Sequence, residues 1–183
     1  MKTENLQEWI GKTEERSDLL NAFPANAMAA TLNHEQSDYS ENKNLPPLWH
    51  WLYFLPIFRL SEAGYDGHAT LGDFLPPVQL PRRMWAGSRI EFLSPLKVGN
   101  EYKKKSKIKD VTAKSGRSGD LVFVTVSHKV SNGSTVCINE EHDIVYREKA
   151  TSSSGPAKLI EAPKEFDFSI DINPDPVLLF RYS

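Results

Sequence analysis

From Arg82 to Arg147 apolar and polar residues alternate with a period of two, the spacing of strands whose two faces meet different surroundings. The pattern predicts four long strands, Met84 to Pro95, Glu101 to Thr112, Asp120 to Ser131 and Ser134 to Arg147. In the third, Val122, Val124, Val126 and Val130 point one way while Thr125, Ser127 and Lys129 point the other. That is an antiparallel sheet with one dry face. Lys97-Val98-Gly99-Asn100, Ser115 to Gly119 and Asn132-Gly133 break the alternation, and Asn-Gly is a strong signal for a tight hairpin.

Ahead of the strands the spacing is helical. Phe23 to Leu32 is rich in alanine, with Pro24 in a first turn that needs no N–H and with Phe23, Ala27, Ala30 and Met28 on one face. Asn33 to Asn44 is polar and reads as a surface loop. Leu45 to Pro56 opens on Pro46-Pro47, closes at Pro56 and places Leu48, Trp51, Leu52 and Leu55 at helical spacing. It carries almost no polar surface, so a helix here is expected to be buried nearly all round. Gly64 to His68 and Gly72 to Pro77 mark turns. An apolar helix followed by a meander of long strands implies an α+β hot-dog fold, a curved antiparallel sheet wrapped around a central apolar helix.

Composition narrows the function classes. The 183 residues include 22 basic and 24 acidic side chains for a net charge of −2, which leaves no footprint for nucleic acid or an anionic membrane. The single cysteine, Cys137, excludes an internal disulfide and a thiolate metal cluster, and suggests a reducing, cytoplasmic setting. Leu45 to Phe58, the longest uncharged stretch, is shorter than the ~20 residues that span a bilayer. The expected organisation is a hot-dog domain over residues 1–149 and a Pro-containing connector over 150–176. A fresh apolar run, Val177 to Phe180, then begins in 177–183, the start of a second hot dog that this chain does not contain.

Several segments in order carry a family resemblance: Leu45 to Phe54, Leu75-Pro76-Pro77, Pro81 to Gly87, Pro95 to Gly99, Lys114 to Val124 and Asp143 to Arg147. The chain resembles the N-terminal half of the MaoC-like double hot-dog acyl-thioester dehydratases and hydratases, a group that includes mesaconyl-CoA and itaconyl-CoA hydratases and hydroxyacyl-thioester dehydratases. The resemblance implies hydration of an enoyl thioester or dehydration of a 3-hydroxyacyl thioester, carried on coenzyme A or acyl carrier protein, with no further cofactor. It also implies that the first hot dog lines the acyl tunnel. The catalytic histidine and Asp or Asn would come from a second hot-dog domain or subunit, or a homodimer would stand in for the pair. A stand-alone acyl-thioester binding module and a hot-dog thioesterase are the alternatives.

Within the chain, Trp49, Tyr53, Phe54, Arg82, Arg83 and Trp85 are the candidate substrate-binding residues. Arg82 and Arg83 beside Trp85 suit a pyrophosphate or carboxylate, or else a structural arginine paired with a carboxylate. His50, between two tryptophans, is a weak catalytic candidate whose plainer role is a core histidine bonded to backbone. His68, after Asp66-Gly67, is a second weak candidate on a turn. His34, His128 and His142 show no metal-ligand spacing, so no metal is expected. The alternating Lys103, Lys105, Lys107 and Lys109 read as a solvated strand face, with contact to coenzyme A phosphates as the functional alternative.

Overall fold

The computed structural model describes residues 4–34, 38–116, 119–149 and 161–182. Five antiparallel strands form one sheet in the order β1-β3-β4-β5-β2. They are β1 (Thr13–Leu19), β2 (Arg82–Phe92), β3 (Glu101–Gly116), β4 (Gly119–Asn132) and β5 (Thr135–Arg147). The four predicted strands are present with shifted ends, and β4 and β5 meet at a tight turn in which Gly133 takes φ +54°. The tip of the β3–β4 hairpin, at residues 117–118, and the first part of the expected connector, residues 150–160, lie outside the described residues.

β1 is the strand that alternation does not announce. Its sequence, TEERSDL, is charged because it is an edge strand facing the lysine side of β3. Lys103 Nζ reaches Glu15 Oε1 at 2.8 Å, and Lys109 pairs with Glu141 of β5, so this lysine face is solvated and charge-matched across strands.

Two expectations about helices change. Leu45 to Pro56 forms only a single 3-10 turn, Trp49–Leu52. Leu48 before it and Phe54 after it adopt left-handed backbone, φ +72° and +58°, which stops a helix on both sides. Between flanking prolines the segment is too short for a stable helix, and its aromatic residues favour helix only weakly. It is not buried all round, since Trp51 and Leu55 are exposed. The longer helix is α1 (Ala22–Thr31), which packs on the 3-10 turn and is capped by the Asn21 side chain, which accepts from Phe23 N–H at 3.1 Å. Its buried face is Ala25 and Ala29, while Phe23 is exposed. Small residues one turn apart let the helix pack close to the 3-10 turn.

The tail differs as well. Pro176–Tyr182, which holds the apolar run expected to open a second hot dog, is a short helix, α2, touching α1. Asp175 starts it by accepting from Leu178 N–H at 2.8 Å.

The inner face of the sheet carries two separate apolar clusters. One gathers Leu20, Tyr53, Phe54, Val98, Tyr102, Val130 and Ile138, the other Ile108, Val111, Val122, Val124, Val126, Ile144 and Tyr146. Between them the inward positions of three adjacent strands are polar: Lys104 and Ser106 on β3, His128 on β4, Glu140 and His142 on β5.

Candidate active site

Pairing alone assembles this polar band. Ser106 lies opposite His128, His128 opposite Glu140 and Glu140 opposite Ile90, while His142 faces Val126 on one side and Ser88 on the other. Residues directly opposite share a face of the sheet, so the register sets these side chains in two adjacent rows. A bulge between Trp85 and Gly87 on β2 turns Trp85 back, and its Nε1–H donates to Ser88 Oγ at 3.1 Å.

The 3-10 turn closes over the band. Tyr53 Oη donates to the Asn21 carbonyl at 2.7 Å, Phe54 N–H to Asp18 Oδ2 at 2.7 Å, and Leu45 N–H to the Leu96 carbonyl at 2.7 Å. Held this way, His50 is 3% exposed and its Nε2 lies 3.3 Å from Glu140 Oε2. Trp51 Nε1–H donates to the same oxygen at 3.2 Å, and Ser88 Oγ donates to Glu140 Oε1 at 3.4 Å.

Burial alone would raise the Glu140 pKa, but hydrogen bonds from His50 and Trp51 and the nearby imidazoles carry it below the usual carboxylate range. An ionised carboxylate only accepts, so His50 donates from Nε2 and its Nδ1 is left over for another partner. That atom is buried without a partner among the described residues, as is Nε2 of His142. Burial, then the Lys104 charge, pushes His128 down to about 4, and its Nδ1 sits 2.9 Å from Ser106 Oγ. Burial likewise lowers His142 and Lys104.

These groups line a cavity of about 600 Å³, walled by Trp51, Tyr53, Phe54, Leu55 and Trp85. A smaller cavity of about 240 Å³ shares Pro56, His128 and His142 with it and continues toward Arg16 and Arg83. Aromatic walls around a few convergent polar groups are the usual form of a small-molecule site. Among the described residues, no cluster of His, Cys, Asp and Glu is arranged to hold a metal ion.

Of the residues singled out in the sequence, Tyr53, Phe54, Trp85, His50 and His68 meet at this cavity. Trp49 packs instead against Tyr39 and His34, at ring separations of 5.1 and 5.7 Å. Arg82 and Arg83 alternate along β2, and only Arg83 turns inward, its Nε 3.3 Å from Asp66 Oδ2. The two guanidiniums therefore do not converge. His68 is exposed at the rim, with its Nδ1 3.1 Å from the Asp66 carbonyl. Glu140, Ser88, Lys104, His128 and His142 also line the cavity and are not among the candidate site residues read from the sequence. The signal was there: each is a polar residue at an inward position of an otherwise apolar alternation, and His128 occupies the gap between Val126 and Val130.

The sequence pattern of hydroxyacyl-thioester dehydratase type 2 matches residues 48–183. The chain belongs to that family. It is 42% identical over all 183 residues to mesaconyl-C(4)-CoA hydratase of Chloroflexus aurantiacus, and spans 65% of that relative's length. In fold it is similar to a chain of the ChsH1-ChsH2 complex from Mycobacterium tuberculosis (TM-score 0.60, 14% identity, 86% of this chain and 96% of that one). It is also similar to the MaoC-like dehydratase from Phytophthora capsici (TM-score 0.50, 15% identity, 92% of this chain and 58% of that one). The MaoC-like resemblance and the hot-dog fold expected from the sequence are both met.

Proposed function

We propose that the protein acts in hydration of an enoyl thioester or dehydration of a 3-hydroxyacyl thioester, as the hot dog that lines the acyl tunnel. The aromatic-walled cavity beneath the Trp49–Leu52 turn is the observation that carries this reading. An acyl chain gains from burial against Tyr53, Phe54 and Trp85, and the same walls keep stray water from the reacting carbons. The groups that exchange the proton and position the water are assigned to a second hot-dog domain or subunit. The exposed Trp51, Leu55 and Trp85 at the cavity mouth, and a curated relative that is longer than this chain, support that assignment. The domain division follows: a hot dog over 1–149, a connector over 150–176, and 177–183 leading to the second domain.

Addition of water across a double bond conjugated to a thioester is redox-neutral, so the carrier, coenzyme A or acyl carrier protein, is the only activating group the reaction requires. The single free, buried thiol of Cys137 suits a cytoplasmic protein. One observation favours a second reading, a thioesterase: Glu140 supplies an ionised carboxylate inside the cavity of this chain.

The test incubates the purified protein with crotonyl-, mesaconyl- and itaconyl-CoA, with and without a separately expressed second hot dog. Loss of enoyl absorbance and release of thiol are followed separately. Hydration that needs the second hot dog is the expected result. Robust hydration by the chain alone that His50→Ala abolishes would place catalysis here instead, and thiol release without hydration would establish the thioesterase.

A further inference from the structure

One lysine of β3 does not share the solvated face. Lys103, Lys105, Lys107 and Lys109 are exposed, whereas Lys104 turns inward and lines the main cavity together with Phe54. Its ammonium lies over the Phe54 ring, 5.4 Å from the centroid. Sheet register sets its flanks: the residue directly opposite on β1 is Arg16, and on β4 it is Val130. One flank is therefore apolar and the other carries a second positive charge, an unfavourable neighbour for an ammonium.

A structural role would pair Lys104 with a carboxylate, and each one near it is engaged elsewhere. Glu14 holds Arg16 Nη2 at 3.0 Å, Asp18 accepts from Phe54 N–H, and Glu140 accepts from His50, Trp51 and Ser88. Among the described residues Lys104 makes no salt bridge or hydrogen bond, whereas Lys103 and Lys109 each hold a carboxylate. An amine desolvated against apolar side chains, or set beside another cation, gives up its proton more readily and becomes a nucleophile. Both conditions meet at Lys104: burial first and then Arg16 lower its pKa, against the opposing pull of Glu14, Glu140 and Asp18.

We propose that Lys104 is a self-acylation site, its ε-amine taking the acyl group from a thioester held in the cavity. This rests on the acyl-thioester reading above. The nitrogen bonds to the thioester carbonyl carbon, the carbon–sulfur bond breaks, and the carrier leaves as a free thiol with the proton the nitrogen gives up. An amide remains, and nothing is oxidised or reduced. That amide carries no charge, and its acyl group fills the space along Phe54 and Tyr53, so a chain that has acylated itself is closed to further substrate. Turnover competes with the transfer, because both consume the same bound thioester.

Incubation of the purified protein with butyryl-CoA, which has no double bond to hydrate, followed by peptide mass spectrometry tests this. Calorimetric titration with the same thioester, run alongside, reports binding. The butyryl amide is expected at Lys104 at least about tenfold faster than at Lys103 or Lys105, a small part of the gain that holding two reactants together can give. Free thiol should appear in step with it. Lys104→Arg keeps the charge and should still bind butyryl-CoA, but should lose the fast release of thiol. Binding with Lys104 modified no faster than Lys103 and Lys105 would overturn the site and leave the thioester reading in place. Neither binding nor modification at Lys104 would remove the thioester reading and this inference with it. If Lys104→Arg does not fold, the comparison among the three lysines of wild type still decides.

Discussion

His128 ties the stability of this fold to pH. It stands in the centre of the sheet, faced by Ser106 and Lys104 from β3, by Glu140 and His142 from β5 and by His50 from the 3-10 turn. Its folded-state pKa of about 4 lies below the ordinary 6.5, so the unfolded chain takes up the proton more readily than the folded one. The neutral ring's contribution is therefore intact above pH 6.5 and is lost as the pH falls from there toward 4. At about 1.4 kcal/mol per pH unit the whole gap amounts to about 3 kcal/mol, of which about 2 kcal/mol is gone by pH 5. His142, also lowered by burial, adds a loss of the same sign. Glu140 works in the other range: its depressed pKa contributes stability above the usual carboxylate value, lost only at lower pH. Urea unfolding followed by tryptophan fluorescence at pH 7.5 and 5 measures the drop in wild type and in His128→Gln, whose amide still bonds Ser106. The variant should show a drop smaller by about 2 kcal/mol. Equal drops in the two proteins, or no drop in wild type, would refute a buried neutral His128.

Glu140→Leu strands the buried Nε2–H of His50 and should cost about 1–3 kcal/mol, whereas His50→Phe combined with Glu140→Leu should recover most of the loss, both read by urea unfolding. Gly99 has φ +89° and an added Cβ would lie 2.6 Å from Glu41 Cγ, so Gly99→Ala should cost about 1–2 kcal/mol, with only the steric share relieved by Glu41→Ala, as a thermal melt of each variant would show. Ile108→Ala, at a fully buried position, should cost about 2–5 kcal/mol in the same melt, while Ile57→Ser, at a fully exposed one, should leave the midpoint unchanged.

The sheet was legible because its strands are long and half-buried, so alternation repeats many times in each. β1 was not, because its side chains answer to the charges of β3 and not to a dry core, and charged residues in a row look like a loop. The segment Leu45 to Pro56 misled for a different reason. Helical spacing of Leu48, Trp51, Leu52 and Leu55 is a necessary condition for an amphipathic helix, but the prolines leave too few residues to nucleate one. The chain uses those aromatics as a wall, with Tyr53 and Phe54 turned inward and Trp51 at the mouth. Of the site, the wall could be read locally, whereas the His50–Glu140 contact joins residues ninety positions apart and depends on sheet register. No Asp or Asn lies near His50 in sequence at a spacing that would orient it, and the partner comes from the sheet.

The split core links these observations to function. A sheet of this size would gain from a continuous apolar inner face, and Val122, Val124, Val126 and Val130 show that β4 can provide one at every inward position except 128. The chain instead places Ser106, His128, Glu140 and His142 side by side where desolvation is most costly, and offsets part of that cost with bonds among them. Replacing a buried ion pair with apolar residues is often neutral or stabilising, so stability alone gives no reason for the band. The cavity supplies one. His50, His142 and Lys104 all line it. Local rules of patterning tend to fail where a protein does chemistry or binds, and in this sheet they fail together at one place. A ligand in that cavity would meet these polar groups, and the aromatic walls around them would bury the rest of it.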